Sequence, residues 1–502
     1  MTLSSALNIV NSSFAAIGAQ TSVIASNVAN ANTPGYSKQI AHVATTDLGG
    51  VTVNSVTRAA NAALASEVNA ANSLAAMQTA ISSGLSTLAR TVSDSASAST
   101  TGSQSNGNSP FAMLSNFSNA ISTYQAAPGS VSAAQAAVAA AKAAANSLNS
   151  AAAAVSQVRS QADQGVAQAV NTVNSLLTQF QNVNNGILSG MANGTNVSML
   201  QDTRDTLVTQ ISQQLGVTTS INSNGAMSIY TETGATLFNV TPGQLTFSNG
   251  VGSTLGPNAV GAAVMLNGQP ITGPNANSQI QSGAIAGLVQ LRDQIAPEYQ
   301  TQLDQLSGTL ITAFQETDQS TSHPGLPPLP GLFTSAGLTG VPPSSQWGGL
   351  ANSIAINANV DPAQSGDAFL LRDGGISDTA NADYTYNTNG NAGYTGRLTQ
   401  YISALQAPAS FSPAGGIGQS GSLLTYANAS VSWVQSANQL ASNNASYQTS
   451  LQSQASAALS NATGVNLDAQ LTNMLTIESS YQASAKLVTT VNAMLNALMN
   501  AV

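Results

Sequence analysis

The sequence predicts a mainly α protein, an elongated helical bundle with an inserted β-rich domain and a coiled-coil helix at each end of the chain. Three observations carry that prediction. Apolar residues recur at heptad spacing at both termini, long low-charge stretches between them keep a helical rhythm, and two intervals break the rhythm with strand-like alternation or with Gly, Pro, Asn and Asp. A chain of 502 residues has room for roughly two to four domains with real cores.

Residues 1–35 form the first coiled-coil segment. Leu3, Leu7, Val10, Phe14, Ile17, Ile24 and Val28 are spaced by alternating fours and threes, and only Thr21 interrupts the seam. The helix is expected to stop near residue 30 in SNVANANTPGYSKQ. Pro34 disfavours helix at Thr33, Gly35 suits the positive φ of a type II turn, and Asn27, Asn30 and Asn32 can bond locally to backbone.

Residues 36–216 read as the first part of the bundle, with a short strand pair around VTVNSV, 51–56. Its helical runs are Leu74, Met77, Ile81, Leu85, Leu88, Val92, then an Ala-rich piece at 131–155, then Val166, Val170, Val173, Leu177, Phe180, Ile187. Residues 217–281 read as the inserted β-rich domain, because VTTSI and MSIYTET alternate around the Asn224-Gly225 hairpin signal. The bundle resumes at 282–319 on Ile295, Leu303, Leu306 and Leu310. The Gly- and Pro-rich stretch 320–396 is expected as irregular or β connection that can add strands to the inserted domain. Residues 397–460, with a Gln/Asn/Ser-rich helix from 422, complete the bundle.

The last segment, 461–502, answers the first. Leu467, Leu471, Met474, Tyr481, Ala485, Val488, Leu495 and Met499 keep the heptad spacing, with Glu478 and Asn492 interrupting, and Leu487, Val491, Met494 and Leu498 make a second stripe beside it. A helix apolar on two adjacent stripes can touch its own chain on one and another molecule on the other.

Composition excludes several classes of function. Ten Lys and Arg stand against nineteen Asp and Glu, giving a formal charge of -9 with no basic run, so nucleic acid is not an expected partner. The absence of cysteine removes disulfides, thiolate catalysis and cysteine metal sites. MTLSSALNIV lacks the basic and apolar regions of a cleavable signal peptide, and no apolar run is long enough to insert in a membrane.

No motif nominates a catalytic, cofactor or metal site. His42 and His323 have no metal-site spacing. GIGQSG, 416–421, matches a dinucleotide loop in letters but has no strand before it and no acid soon after, so it reads as a loop between helices. Arg204-Asp205 and Arg292-Asp293 lie in helical patterns and read as anchoring ion pairs or helix-surface contacts. Asp373, Asp378 and Asp383 do not fit a calcium loop.

The two termini carry a family resemblance. SNVANANTPGYSKQ, with Asn30, Asn32, Thr33, Pro34, Gly35 and Tyr36 at its turn, resembles the N-terminal signature of the bacterial flagellar rod, hook and hook-associated axial proteins. Val28 and Lys38 stand where Ile and Arg are usual. GVNLDAQLTNMLTIESSYQASAKLVTTVNAMLNALMNAV is similar to that family's closing helix, with Ala469 and Gln470 where acids are usual. MLQDTRDTLVTQIS and SGAIAGLVQLRDQIAPEYQTQLDQL are similar to segments of the hook-associated branch at the hook-filament junction. Only a short stretch separates GLFTSAG, 331–337, from ANSIAINANVDPA, so the outer domain of longer members is expected to be missing or vestigial.

The resemblance implies a non-enzymatic structural subunit, outside the cell on the flagellum, exported without a cleavable signal peptide. It implies as partners further copies in a ring or tube, the hook protein, a second junction protein and an export chaperone. Two rival readings share the terminal patterns: a hook or distal rod protein, and a wall hydrolase carried on a flagellar scaffold. The hydrolase needs paired acids in a cleft.

Overall fold

The computed structural model describes residues 3–47, 49–93, 107–248, 256, 259–320 and 325–500. In chain order, α1 (Leu3–Ala29) leads into a hairpin of β1 (Gln39–Thr45) and β2 (Val51–Arg58), then α2 (Ala62–Ala89), α3 (Pro110–Ala126), α4 (Val131–Ala192) and α5 (Ser198–Gln214). Short strands follow: β3 (Val217–Ile221), β4 (Met227–Thr231), β5 (Thr236–Phe238), β6 (Leu245–Thr246), β7 (Met265–Leu266) and β8 (Gln269–Pro270). Next, α6 (Ala284–Gln290) runs through a π-helical turn, Leu291–Ile295, into α7 (Ala296–Ala313). The remainder holds β9 (Phe333–Ser335), β10 (Ile354–Ile356), α8 (Leu370–Asp373), α9 (Gly396–Gln406), β11 (Ala409–Ser410), β12 (Ser420–Gly421), α10 (Leu423–Thr463) and α11 (Leu467–Asn500).

The fold is mainly α with small β elements, and α4 is its axis. The two helical pieces read at 131–155 and 166–187 are one helix of 62 residues, roughly 90 Å long at about 1.5 Å per residue. The Ser130 side chain accepts from Ala133 N at its start, and Gly194, with φ +67, follows its last turn. Gly165 does not break it, because that glycine makes room for another helix: a Cβ there would lie 2.9 Å from Leu288 Cδ1 on α6.

Two cores sit along α4. Its Ala-rich first half packs against α3, α7, α9 and the first half of α10, around Phe117, Tyr299, Phe314, Phe333 and Tyr401. Its Val-, Leu- and Phe-bearing second half packs against α5, α6 and the sheet β3-β4-β5, with Phe180 edge-on to Phe238 at 4.8 Å. Small residues in the first half let helices approach, and larger ones in the second half fill the gap to a sheet. The β3–β4 hairpin pairs Val217 with Thr231 through Ile221 with Met227, and Gly225 takes φ +86 in its turn.

The stretch 320–396 differs from the expectation that it extends the β unit. Its described residues pack on the first core, with Leu332, Phe333, Ile354, Val360, Leu371 and Ile376 buried there. Phe333 meets Phe117 and Phe314 edge-on at 5.5 and 5.2 Å. Two buried carboxylates tie the irregular backbone down: Asp304 accepts from Gly349 N and Ala351 N, and Glu316 from Ile376 N and Ser377 N. Position in the chain, between two bundle helices, leaves this segment nearest the bundle rather than the sheet.

Beyond the cores, α2 and α10 run antiparallel. Gln435 reaches the carbonyl of Val92 at one end, and Lys38 N donates to the carbonyl of Thr463 at the other. On its other side α2 meets α6, where Gly287 brings the backbones together: a Cβ there would lie 2.5 Å from Met77 O. Gly287→Ala is expected to cost about 1 to 3 kcal/mol by wedging α2 from α6, although alanine is the better helix former. An unchanged urea midpoint would show that the two helices part freely.

Candidate assembly site at the paired termini

The first and last helices lie side by side, antiparallel. Ser13 Oγ is 3.1 Å from Ser484 Oγ, and Asn27 Nδ2 donates to Gln470 Oε1 at 3.0 Å. On α1, Val10, Ala16, Ile17, Ile24 and Asn27 are buried, Leu3, Leu7 and Phe14 are half-buried, and Val28 is 41% exposed. The β1–β2 hairpin covers another flank of α1, where Val51 N donates to Ser12 Oγ at 3.0 Å. So α1 has cover from two sides of its own chain.

The partner helix does not, and its inward face differs from the predicted seam. Leu467, Leu471, Met474, Tyr481 and Met499 are exposed, while Val488 and Leu495 are half-buried. The residues turned to α1 are Gln470, Ile477, Ser484, Val488, Val491 and Leu495. Small side chains at Ser13, Ala16 and Ser484 let these helices approach, so the larger Leu and Met side chains are displaced to the flanks. Of the second stripe only Val491 is buried; Leu487, Met494 and Leu498 are exposed. Phe14 still reaches Tyr481, ring centroids 5.2 Å apart.

The signature turn is held by residues the heptad reading did not single out as site residues. Pro34 and Gly35 form the turn, with Tyr36 N donating to Thr33 O at 3.2 Å and Gly35 at φ +79. A Cβ on Gly35 would lie 2.8 Å from Thr206 Oγ1 on α5, so glycine serves both the dihedral and the approach. Asn30 bonds locally, Nδ2 to Ser26 O at 3.0 Å, while Asn32, Thr33, Pro34 and Gly35 are exposed. Asn27 does not bond locally. Its Oδ1 accepts from Gln39 N at 2.8 Å and from the Tyr36 hydroxyl at 2.9 Å, and its Nδ2 donates to Gln39 O at 2.9 Å and to Gln470. One buried amide thereby joins α1, the hairpin and α11. Gln470 supplies the acceptor on α11.

An ion-pair cluster anchors this junction to the bundle. Arg58 at the end of β2 meets Asp202 at 2.8 Å and Asp205 at 2.5 Å, both on α5, and Ser37 N donates to Asp202 Oδ2 at 3.1 Å. Burial works to lower the Arg58 pKa, yet Asp205 and Asp202 outweigh it and hold it above the ordinary value. Burial, with Asp202 adding to it, pushes the Tyr36 hydroxyl up, so it stays a donor to Asn27. Charge is scarce in this chain, and that scarcity was the available signal for Arg58 and Asp202.

The remaining chemical candidates fall into structural roles. Asp205 pairs with Arg58, while Arg204 is buried against the Gly225 carbonyl at 2.7 Å. Arg292 pairs with Asp163 and with its neighbour Asp293. Asp373 pairs with Arg372. Exposed His42 meets Thr57 Oγ1 at 2.8 Å, and His323 lies outside the described residues. GIGQSG is the loop leading through β12 into α10. Among the described residues no group of three or more His, Cys, Asp or Glu could hold a metal, and no helix is long and apolar enough to cross a membrane.

Comparison with known proteins agrees in three places along the chain. Residues 101–322 match the model of the flagellar hook-associated protein FlgK helical domain. Residues 456–501 match the flagellar basal body rod FlgEFG protein C-terminal model, and residues 15–36 match the flagella basal body rod protein model. No curated protein matches. Among solved structures, the flagellar hook junction protein FlgK from Burkholderia pseudomallei is similar, at 22% identity and a TM-score of 0.42. That likeness covers 54% of this chain and 47% of the other, so the matched part spans about half of that protein's length.

Proposed function

We propose that this chain, which matches the FlgK helical-domain model over residues 101–322 and flagellar rod models at both ends, is a structural, non-enzymatic hook-associated protein and the first subunit type of the hook-filament junction, hook-associated protein 1. It leaves the cell through the flagellar type III export route with an export chaperone and assembles at the distal end of the hook. There it forms a ring or tube of identical copies between the hook protein and a second junction protein, hook-associated protein 3.

The carrying observation is α11. Its inner face is closed against α1, while Leu467, Leu471, Met474, Leu475, Leu487, Met494 and Leu498 are exposed on its flanks. Exposed large apolar side chains gathered along one helix in this way mark an interaction site. Burying one such side chain contributes about 1.5 to 3 kcal/mol, so a row of them supplies an assembly contact.

The test adds purified chain to isolated hooks and labels it with antibody for electron microscopy. Label at the tip alone is expected. Label along the whole hook would favour a hook or rod component instead, and no label would overturn the reading. Phe14→Ala and Leu495→Ala are each expected to leave the bundle's melting temperature within a few degrees of the parent and to remove tip binding. Each truncation removes about 2 to 5 kcal/mol only where the side chain becomes fully buried, which the proposal places in the assembly. Melting of the bundle core by either variant would contradict that division.

A further inference from the structure

We propose that the outer edge of β3 receives an extended, uncharged segment of a partner protein, which joins the sheet as a further strand. β3 stands at the end of the order β3-β4-β5, so one of its sides has no neighbouring strand. The phase of the β3–β4 hairpin decides which groups face that side. Asn222 N donates to Ala226 O and Glu232 N to Gly216 O, which sets Gly216, Thr218, Ser220 and Asn222 as the residues bonded across to β4. The N–H and C=O groups of Val217, Thr219 and Ile221 therefore point outward, and among the described residues they have no hydrogen-bond partner. Thr219 and Ile221 are exposed. Directly opposed residues of an antiparallel pair share a face, so these two lie on the side of Ile229 and Met227, both buried in the second core. Ile221 is nonetheless 55% exposed, because no strand lies outside it.

Free edges are ordinarily blunted by charge, proline, a bulge or brevity. The other strands of this chain show such protection. The register of β1 shifts between His42 and Val43, β2 packs on α1, β5 has three residues and shifts against β4, and β8 has two residues with Pro270. β3 pairs in unbroken register over five residues and carries neither proline nor charge. Its edge is complete and unguarded. Residues 217–231 contain no Asp, Glu, Lys or Arg, so a charged side chain on an incoming strand would lose hydration and meet no counter-charge. The complementary segment is uncharged, with β-branched or apolar residues at the alternate positions that stand beside Thr219 and Ile221. A second copy fits less well. Two β3 edges paired about Thr219 would set each Ile221 opposite the other copy's Val217, which is buried, on a strand that α2 packs against.

The probe is a fluorescein-labelled Thr-Val-Thr-Val-Thr peptide added to the full-length chain, with binding read by fluorescence anisotropy and amide exchange followed over 217–221. The peptide is expected to bind and to slow exchange at Thr219 and Ile221, and the same peptide N-methylated at both valines, which cannot donate, is expected not to bind. Thr219→Pro removes an outward N–H without breaking a bond to β4, and Ile221→Lys places a charge on the edge from an exposed position. Each is expected to keep the parent melting temperature and weaken binding by about tenfold or more. Should Thr219→Pro disturb the hairpin, Ile221→Lys carries the comparison. No binding by the native chain, undiminished binding by Ile221→Lys, or equal binding of the N-methylated peptide would overturn the inference. So would a concentration-dependent dimer that Ile221→Lys abolishes, which would assign the edge to a second copy.

Discussion

Arg292→Ala is expected to produce the largest loss of stability of any single change in the described bundle, about 3 to 5 kcal/mol. The guanidinium is 1% exposed and sits where three parts of the chain meet. Nη1 donates to Asp163 on α4 at 2.6 Å, Nε and Nη2 donate to Asp293 at 2.9 and 2.8 Å, and Nη2 donates to the Ala262 carbonyl at 2.9 Å. Asp293 in turn accepts from Gly261 N at 2.9 Å, and the Phe247 ring lies 5.7 Å from the guanidinium carbon. Burial works against the cation, but Asp293 and Asp163 outweigh it and raise its pKa above the ordinary value. Truncation leaves two poorly solvated carboxylates without their counter-ion. Hydrogen exchange in α6, α7 and the strands around Phe238 should accelerate before that in the first half of α4. Adding Asp163→Asn and Asp293→Asn to an Arg292→Met chain should restore much of the loss, because an uncharged replacement leaves no orphaned charge. A single Arg292→Ala variant with the parent's urea midpoint would remove this group from the account of stability.

Asn27→Ala is expected to open the paired termini and leave the two cores closed. The amide is 1% exposed, and its loss strips partners from the N–H and C=O of Gln39, from the Tyr36 hydroxyl and from Gln470. Orphaned buried groups of this kind cost on the order of 3 kcal/mol. That cost falls on a small unit, because α1 and α11 hold each other through few buried apolar contacts, whereas α4 lies in both extended cores. Amide exchange in α1 and α11 should rise steeply, exchange in α4 should not change, and the hook-tip binding proposed above should be lost. Asn32→Ala, at an exposed position of the same turn, is the control and should alter neither. Equal destabilisation of α4 by Asn27→Ala would mean that the ends and the bundle unfold as one unit.

Local signals in the sequence were sufficient where the deciding interactions are local. The stop of α1 at Ala29, the Thr33–Tyr36 turn, the strands flanking Asn224-Gly225 and the helices around Leu74 and Leu303 depend on periodicity, proline geometry and glycine dihedrals within a few residues. The unity of α4 was harder to read, because an Ala-rich stripe and a Val/Leu/Phe stripe look like two helices until one sees that they face two different cores. The role of Asn27 was invisible for a similar reason. Its partners Gln39 and Gln470 come together only after the hairpin folds back and the far end of the chain arrives.

The sequence alone determined that both ends of this protein are long, sparsely charged amphipathic helices, that a turn separates the first from the bundle, and that the two ends resemble those of flagellar axial proteins. Those properties follow from spacing and composition, which no distant contact alters. Tertiary structure decided which stripe of α11 faces inward. Heptad rows at neighbouring positions are equivalent in an isolated helix, and the choice between them falls to the small residues Ser13, Ala16 and Ser484, which let the backbones approach on one row and leave the leucines and methionines of the others uncovered.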